Sequence, residues 1–179
     1  MTFDLERKLN QYFLEYKEKL FNQGIPEKFI NYYTDYFFNK IDKLVFIYES
    51  AEKKLDSIYF LLNEIFVDDK KIDDILFSCD PFLSEYYFSI DLLMTSLEQI
   101  TSTNEINFKE IKSELRNYYK AVTTFIKCAY YFDKIYYVIS DATLFLDKSF
   151  QNNEKKMYNY IRYNISLLKE QYHSKKFKN

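Results

Sequence analysis

Glycine is almost missing from this chain: Gly24 stands alone among 179 residues, and Pro26 and Pro81 are the only prolines. Hairpin-rich folds need turns whose φ > 0 positions glycine fills without steric cost, so the shortage excludes a fold of many strands and leaves an all-α one. It also excludes phosphate-cradling loops, which need several glycines for close backbone approach. His173 is the only histidine. A Ser-His-Asp or Cys-His arrangement would have to draw on it near the chain end, and neither Cys79 nor Cys128 sits in a nucleophile motif. Two cysteines and one histidine this far apart make no zinc pattern. Glu170 and His173 have the Glu-x-x-His spacing of di-iron helical bundles, but those bundles need a second such motif, which one histidine cannot supply. The chain is therefore expected to be a non-enzyme with no cofactor and no metal. A carboxylate-only hydrolase or Mg²⁺ site remains the enzymatic alternative, since 27 acidic residues always offer pairs.

Long apolar runs are missing too. No stretch of about 18 uncharged apolar residues occurs, so no membrane-spanning helix is expected. The opening "MTFDLERKLNQYF" carries charges where a secretory leader needs an apolar core. Cys79 and Cys128 have no disulfide-framework spacing and read as reduced thiols, which leads to the expectation of a cytoplasmic chain.

What is present is apolar and aromatic. Apolar residues make up 47% and charged residues 29%, enough to bury a core, and there are 19 Tyr and 18 Phe. The reading is one helical domain over 1–179: an elongated bundle of about five main helices in the order short, long, short, long, short, with a frayed basic tail at 174–179. Leu5, Leu9, Tyr12, Tyr16 and Leu20 predict a first helix over 3–22. Gly24 and Ile25 complete a Schellman stop there, and Pro26 suits the first turn of the next helix. A central long helix is expected over roughly 26–67, with heptad rows Phe37, Leu44, Ala51, Ile58, Ile65 and Ile41, Tyr48, Leu55, Leu62. Its patches "LVFIY" and "IYFLL" are apolar nearly all round, which predicts that other helices surround it. "DDKKIDDILFSC" (68–79) reads as a connector with a turn or two of helix. Asp80 is expected as N-cap of the third helix, with Pro81 at its first position. Asn107 and Glu110 resemble a capping box opening a second long helix over roughly 107–150. Its rows are Phe108, Leu115, Val122, Ala129, Tyr136, Thr143, Phe150 and Ile111, Tyr118, Phe125, Phe132, Ile139, Leu146. Either long helix could bend, near Ser50 or near Ser140. A last helix follows on Met157, Ile161, Ile165, Leu168 and Tyr172.

Charge is segregated along the chain. Residues 1–105 sum to -9 and residues 106–179 to +7, so the total of -2 hides two opposed halves. The stretch 80–105 has no Lys or Arg, and its Asp91 and Glu98 lie seven apart. On the helix from 107, Lys120, Lys127 and Lys134 fall at the heptad position farthest from the expected seam, with Tyr130 and Tyr137 one helical step away. This Lys/Tyr ladder admits three readings: a solvated face with the tyrosines against a neighbouring helix, a protein interface in which tyrosine supplies contact area, or a nucleic-acid surface in which lysine meets phosphate and tyrosine stacks on bases. Only Arg7, Arg116 and Arg162 are arginines, and net basic charge is lacking, which weakens the third.

The expected function is a non-enzymatic protein–protein interaction module (an inhibitor, an immunity-type protein or an accessory subunit) acting through an acidic surface on 80–105 and a basic one on 107–176. Its candidate contact residues are Lys120, Lys127, Tyr130, Lys134, Tyr137, Asp91 and Glu98. One alternative is a small helical subunit of a nucleoprotein complex. The other is a bundle that receives an apolar ligand. The partner is expected to be another protein, with nucleic acid or a homo-oligomer possible and no membrane.

Overall fold

The chain enters its first helix through Asp4, whose carboxylate accepts the Arg7 amide at 3.0 Å and so satisfies one of the donors every helix start leaves open. That helix, α1 (Leu5–Asn22), ends as its residues dictate. Gly24 takes φ +79, the Ile25 amide donates to the Leu20 carbonyl at 3.2 Å and the Gly24 amide to Phe21 at 3.0 Å, completing the Schellman motif. Pro26 then offers its carbonyl to the amides of Phe29 and Ile30, and α2 (Glu27–Phe38) begins.

The computed structural model describes residues 4–38, 41–103, 109, 112–144 and 153–176, with side chains at all of these except 33, 35–38, 175 and 176. The remaining helices are α3 (Ile41–Ile65), α4 (Asp69–Ser78), α5 (Asp80–Ser102), α6 (Lys112–Ala142) and α7 (Asn153–Lys176). Among the described residues there is no strand, and the fold is all-α.

Among the described residues, seven helices stand where about five main ones were expected. Within 26–67, helix covers Glu27–Phe38 and Ile41–Ile65, and residues 39 and 40 lie outside the described set. Of the span 107–150, helix is described over Lys112–Ala142; the capping box at Asn107 and Glu110, and seam residues Phe108, Ile111, Leu146 and Phe150, lie outside the described residues. Helix runs without interruption through Ser50 in α3 and through Ser140 in α6. The connector at 68–79 is a ten-residue helix, α4, capped by Asp68, whose carboxylate accepts the Lys70 amide at 3.0 Å. Asp80 is the first residue of α5 rather than its cap. Cys79 caps both ways: its amide donates to Ile75 and Leu76 as α4 ends, and its carbonyl accepts Phe82 and Leu83 as α5 begins.

Contacts divide the chain into two compact units, one of Met1–Glu49 with Tyr87–Ile126 and one of Ser50–Tyr86 with Lys127–Asn179. In the first, α1 packs on α2, and the core is mostly aliphatic: Leu5, Leu9 and Leu20 of α1, Leu44 of α3, and Ile90, Leu93 and Leu97 of α5 are all buried. In the second, α4 packs on α7, and the core mixes Leu55, Ile58, Ile161 and Ile165 with Phe82, Tyr86, Tyr131, Phe132 and Tyr172. An apolar void of about 10 Å³ lies in each unit, beside Leu9 and Phe125 in the first and Leu55 and Phe132 in the second. Each of these two voids is no larger than one water needs.

This division recasts the charge. By sequence halves the chain is -9 and +7; by units it is -2 and 0, because each unit takes residues from both halves.

Candidate functional site

On α3 the expected rows hold the buried Leu44, Ala51, Ile58, Leu55 and Leu62, but Ile41, Tyr48 and Ile65 of the same rows are only half-buried, Val45 is buried outside them, and the side chain of Phe37 lies outside those described. The side expected to be surrounded is open at Phe46 and Phe60, 68% and 67% exposed. On α6 the period of seven holds, but the buried face is turned. With Leu115 as position a, the d row (Tyr118, Phe125, Phe132, Ile139) is buried as expected. The second buried row is g (Ala121, Cys128, Ile135, Ala142), while Leu115, Val122, Ala129 and Tyr136 are only half-buried. At 3.6 residues per turn this rotates the buried face by about 60°.

The rotation relocates the ladder. Position b, not f, now lies opposite the core. Tyr130 and Tyr137 at b project outward, 52% and 63% exposed, whereas Lys127 and Lys134 at f stand on the flank facing α7, half-buried. Both ammonium groups are engaged there. Lys127 Nζ donates to the Tyr172 carbonyl at 3.1 Å and sits 4.1 Å from the centre of the Tyr172 ring. Lys134 Nζ donates to Gln171 Oε1 at 3.2 Å and lies 4.8 Å from the ring centre of Tyr130 and 5.5 Å from that of Tyr131. On the other flank Asp133 meets Lys54 of α3 at 3.7 Å, and Lys54 also lies over the Tyr136 ring at 4.4 Å. The outer ridge of α6 in the second unit is therefore Tyr130, Asp133, Lys134 and Tyr137, with its charges tied sideways to α3 and α7.

Beneath the ridge is an aromatic cluster that the heptad pattern does not announce. Tyr131, at position c, is buried and stacks on Phe82 at 5.3 Å, and Tyr172 meets both edge-on at 5.2 Å. The Tyr172 hydroxyl donates to Glu85, and Cys128 Sγ lies 3.6 Å from it. Tyr172 belongs to the five-residue stripe of the last helix and so was visible as a core residue; nothing in the spacing marks Tyr131. The Tyr131 hydroxyl is buried with no hydrogen-bond partner. Burial first, and Tyr130 second, push its pKa up. Burial likewise pushes the Cys79 thiol up to about 12 against the opposing pull of Lys169, so this thiol is an inert core group.

The other candidate residues lie in the first unit. Lys120, Asp91 and Glu98 are exposed there, and Asp91 and Glu98 form no ion pair among the described residues. Burial first, then the Glu98 and Glu15 carboxylates, raise the Tyr12 pKa. The C-terminal end of the acidic helix is held by Lys19 of α1, whose ammonium donates to the Thr103 carbonyl. Also in this unit, an open groove of about 500 Å³ is lined by Leu14, Lys17, Glu18, Phe21, Glu27 and Ile30.

Among the described residues no group of His, Cys, Asp and Glu could hold a metal ion, and no helix is long and apolar enough to cross a membrane. No family model, no curated protein and no solved structure matches the chain.

Proposed function

We propose that this chain is a non-enzymatic helical protein–protein interaction module, an inhibitor, immunity-type protein or accessory subunit, and that its contact surface is the outer ridge of α6 in the second unit. One observation carries the reading: Tyr130 and Tyr137 stand half or more open to solvent, while the lysines beside them have their ammonium groups engaged within the chain. Tyrosine offers large contact area at small entropic cost and is enriched among the residues that dominate binding energy. The opposed-charge version, acidic 80–105 against basic 107–176, has less support, because the units carry net charges of only -2 and 0.

The nucleoprotein alternative needs lysines free to neutralise phosphate, and Lys127 and Lys134 would first have to leave Tyr172 and Gln171. The apolar-ligand alternative needs an enclosed space of about 300 Å³ or more, and the two enclosed voids lined by described residues are about 10 Å³ each.

The test is co-purification from the native cell with the wild type and a Tyr130→Ala/Tyr137→Ala double variant, read by mass spectrometry. A specific protein bound by the wild type and lost with the double variant supports the proposal. Retention by the double variant, or binding to nucleic acid that falls steeply with salt, rejects it.

A further inference from the structure

The outward face of α7 carries charge of one sign. From 155 to 169 the helix holds Lys155, Lys156, Arg162 and Lys169 and no carboxylate. Lys169 is half-buried and near enough to the Cys79 thiol to pull on it, while the other three are exposed. At about 100° per residue they fall into two rows, Lys155 with Arg162 and Lys156 with Tyr163, and the exposed Asn159 and Ser166 lie in the strip between. Members of a row are two turns, about 10 Å, apart. Tyr163 is 64% exposed.

Lys155 and Lys156 work against the helix rather than for it. They stand in the first turn of α7, where the helix dipole disfavours positive charge. Among the described residues neither has an ion pair or a hydrogen bond. The carboxylate beside them, Glu154, is engaged toward α4, with Lys71 at 3.9 Å and the Asp68 amide at 3.3 Å. Arg162 is held without being neutralised. Its guanidinium donates to the Tyr158 hydroxyl at 2.9 Å, and that hydroxyl donates to Asp74, so Arg162 keeps further N–H donors in a fixed place.

We propose that this face of α7 docks an acidic helix of a partner protein, with carboxylates seven residues apart meeting Lys155 and Arg162 and an apolar side chain set against Tyr163. The site is separate from the α6 ridge and does not depend on it. Charge complementarity names the occupant: three exposed cations with no anion among them match a partner surface of the opposite sign. The extent of the patch narrows the class. It is two turns long and bounded on the α4 side by Glu154 and Asp74, in a unit of zero net charge. A nucleic-acid strand is a continuous line of phosphate and would run past the cations into these carboxylates. An acidic helix places two carboxylates at the spacing of the row and no more. Exposed ion pairs contribute little each, so the contact is weak, with a Kd of about 100 µM at low salt.

The test titrates the full chain into a dye-labelled, alanine-based helical peptide of about 20 residues, with glutamates seven apart and a leucine row beside them, read by fluorescence anisotropy. The wild type should bind at low salt and weaken several-fold at about 0.3 M salt. Lys155→Glu/Lys156→Glu should weaken binding about tenfold or more while melting no lower than wild type, because glutamates suit that end of the helix. Tyr163→Ala should weaken it about threefold. Lys120→Glu in the first unit, and Tyr130→Ala/Tyr137→Ala on α6, should leave the affinity unchanged, and the same peptide with lysines in place of glutamates should not bind. No binding up to about 1 mM chain, binding of the lysine peptide, indifference to the α7 variants, or a loss with the α6 variant overturns the proposal. So does tighter binding of a thymidine oligonucleotide of the same length, which would assign the face to nucleic acid.

Discussion

The two units hold themselves together differently. The first relies on rows of leucine and isoleucine from α1, α3 and α5, closed off by local backbone devices such as the Asp4 cap and the Gly24 stop. The second adds polar handles to buried rings: Tyr172 to Glu85, Tyr86 to Glu52 at 3.2 Å and Tyr158 to Asp74 at 3.0 Å each tie one helix to another. Aliphatic contacts are non-directional, and a leucine row tolerates small shifts between neighbours. A phenol that must both pack and find an acceptor fixes orientation as well as depth. The comparison teaches that the aromatic excess is a means of setting helix geometry in the second unit, and that the exposed tyrosines on α6 stand above the most strongly oriented part of the molecule.

The comparison can be broken with truncations in each unit. Tyr172→Ala removes a ring in contact with Phe82 and Tyr131, the seat of Lys127 and the donor to Glu85, and should cost about 4 to 5 kcal/mol in urea unfolding. Leu9→Ala in the first unit removes only packing and should cost about 3 kcal/mol. If the leucine change costs more than the tyrosine change, the cluster is not the stronger anchor. Tyr131→Phe sharpens the point, because it deletes a buried hydroxyl with no partner while keeping the stacked ring. It should leave stability unchanged or raise it by about 1 kcal/mol; a clear loss would show that the hydroxyl is satisfied in solution. The smallest effect concerns Glu52, whose pKa is raised by burial first and by Asp56, against the lowering pull of the Tyr86 hydroxyl. The folded chain keeps this proton to a higher pH than the unfolded chain, so this contribution falls as pH rises from the ordinary carboxylate range through the raised value. Glu52→Gln keeps an acceptor for Tyr86 and should exceed wild type at pH 7 by less than about 1 kcal/mol. The difference should vanish near pH 3.5, where both states are protonated, and an advantage that persists there would assign the effect to packing.

Much of the fold was legible because it is written locally. A lone glycine after a helical stripe, followed by isoleucine and proline, has one good solution, and the structure adopts it at Gly24. The rows of α3 were legible through its middle, where the charged Glu52, Lys53, Lys54 and Asp56 set off Ala51, Leu55 and Ile58. On α6 they were not. Its a, d and g rows are all apolar enough to be buried, so the choice between them depends on the neighbours and not on the helix itself. That single ambiguity divided the ladder, whose lysines and tyrosines were both expected as contact residues: Lys127 and Lys134 stand on the flank facing α7, and Tyr130 and Tyr137 project outward. Helix α4 was hidden for another reason. Three aspartates and two lysines, after the capping Asp68, dilute Ile72 and Ile75, the two buried isoleucines that seat it.

Cys79 closes one helix and opens the next without an intervening residue, so the chain has no slack at that joint. One inserted residue would turn everything downstream in α5 by about 100°, carrying Phe82, Glu85 and Tyr86 off their partners at once. In a scan of single-residue insertions, this joint should be the least forgiving in the protein. The glycine joint at residue 24, with open space around it, should absorb the same change with far less damage.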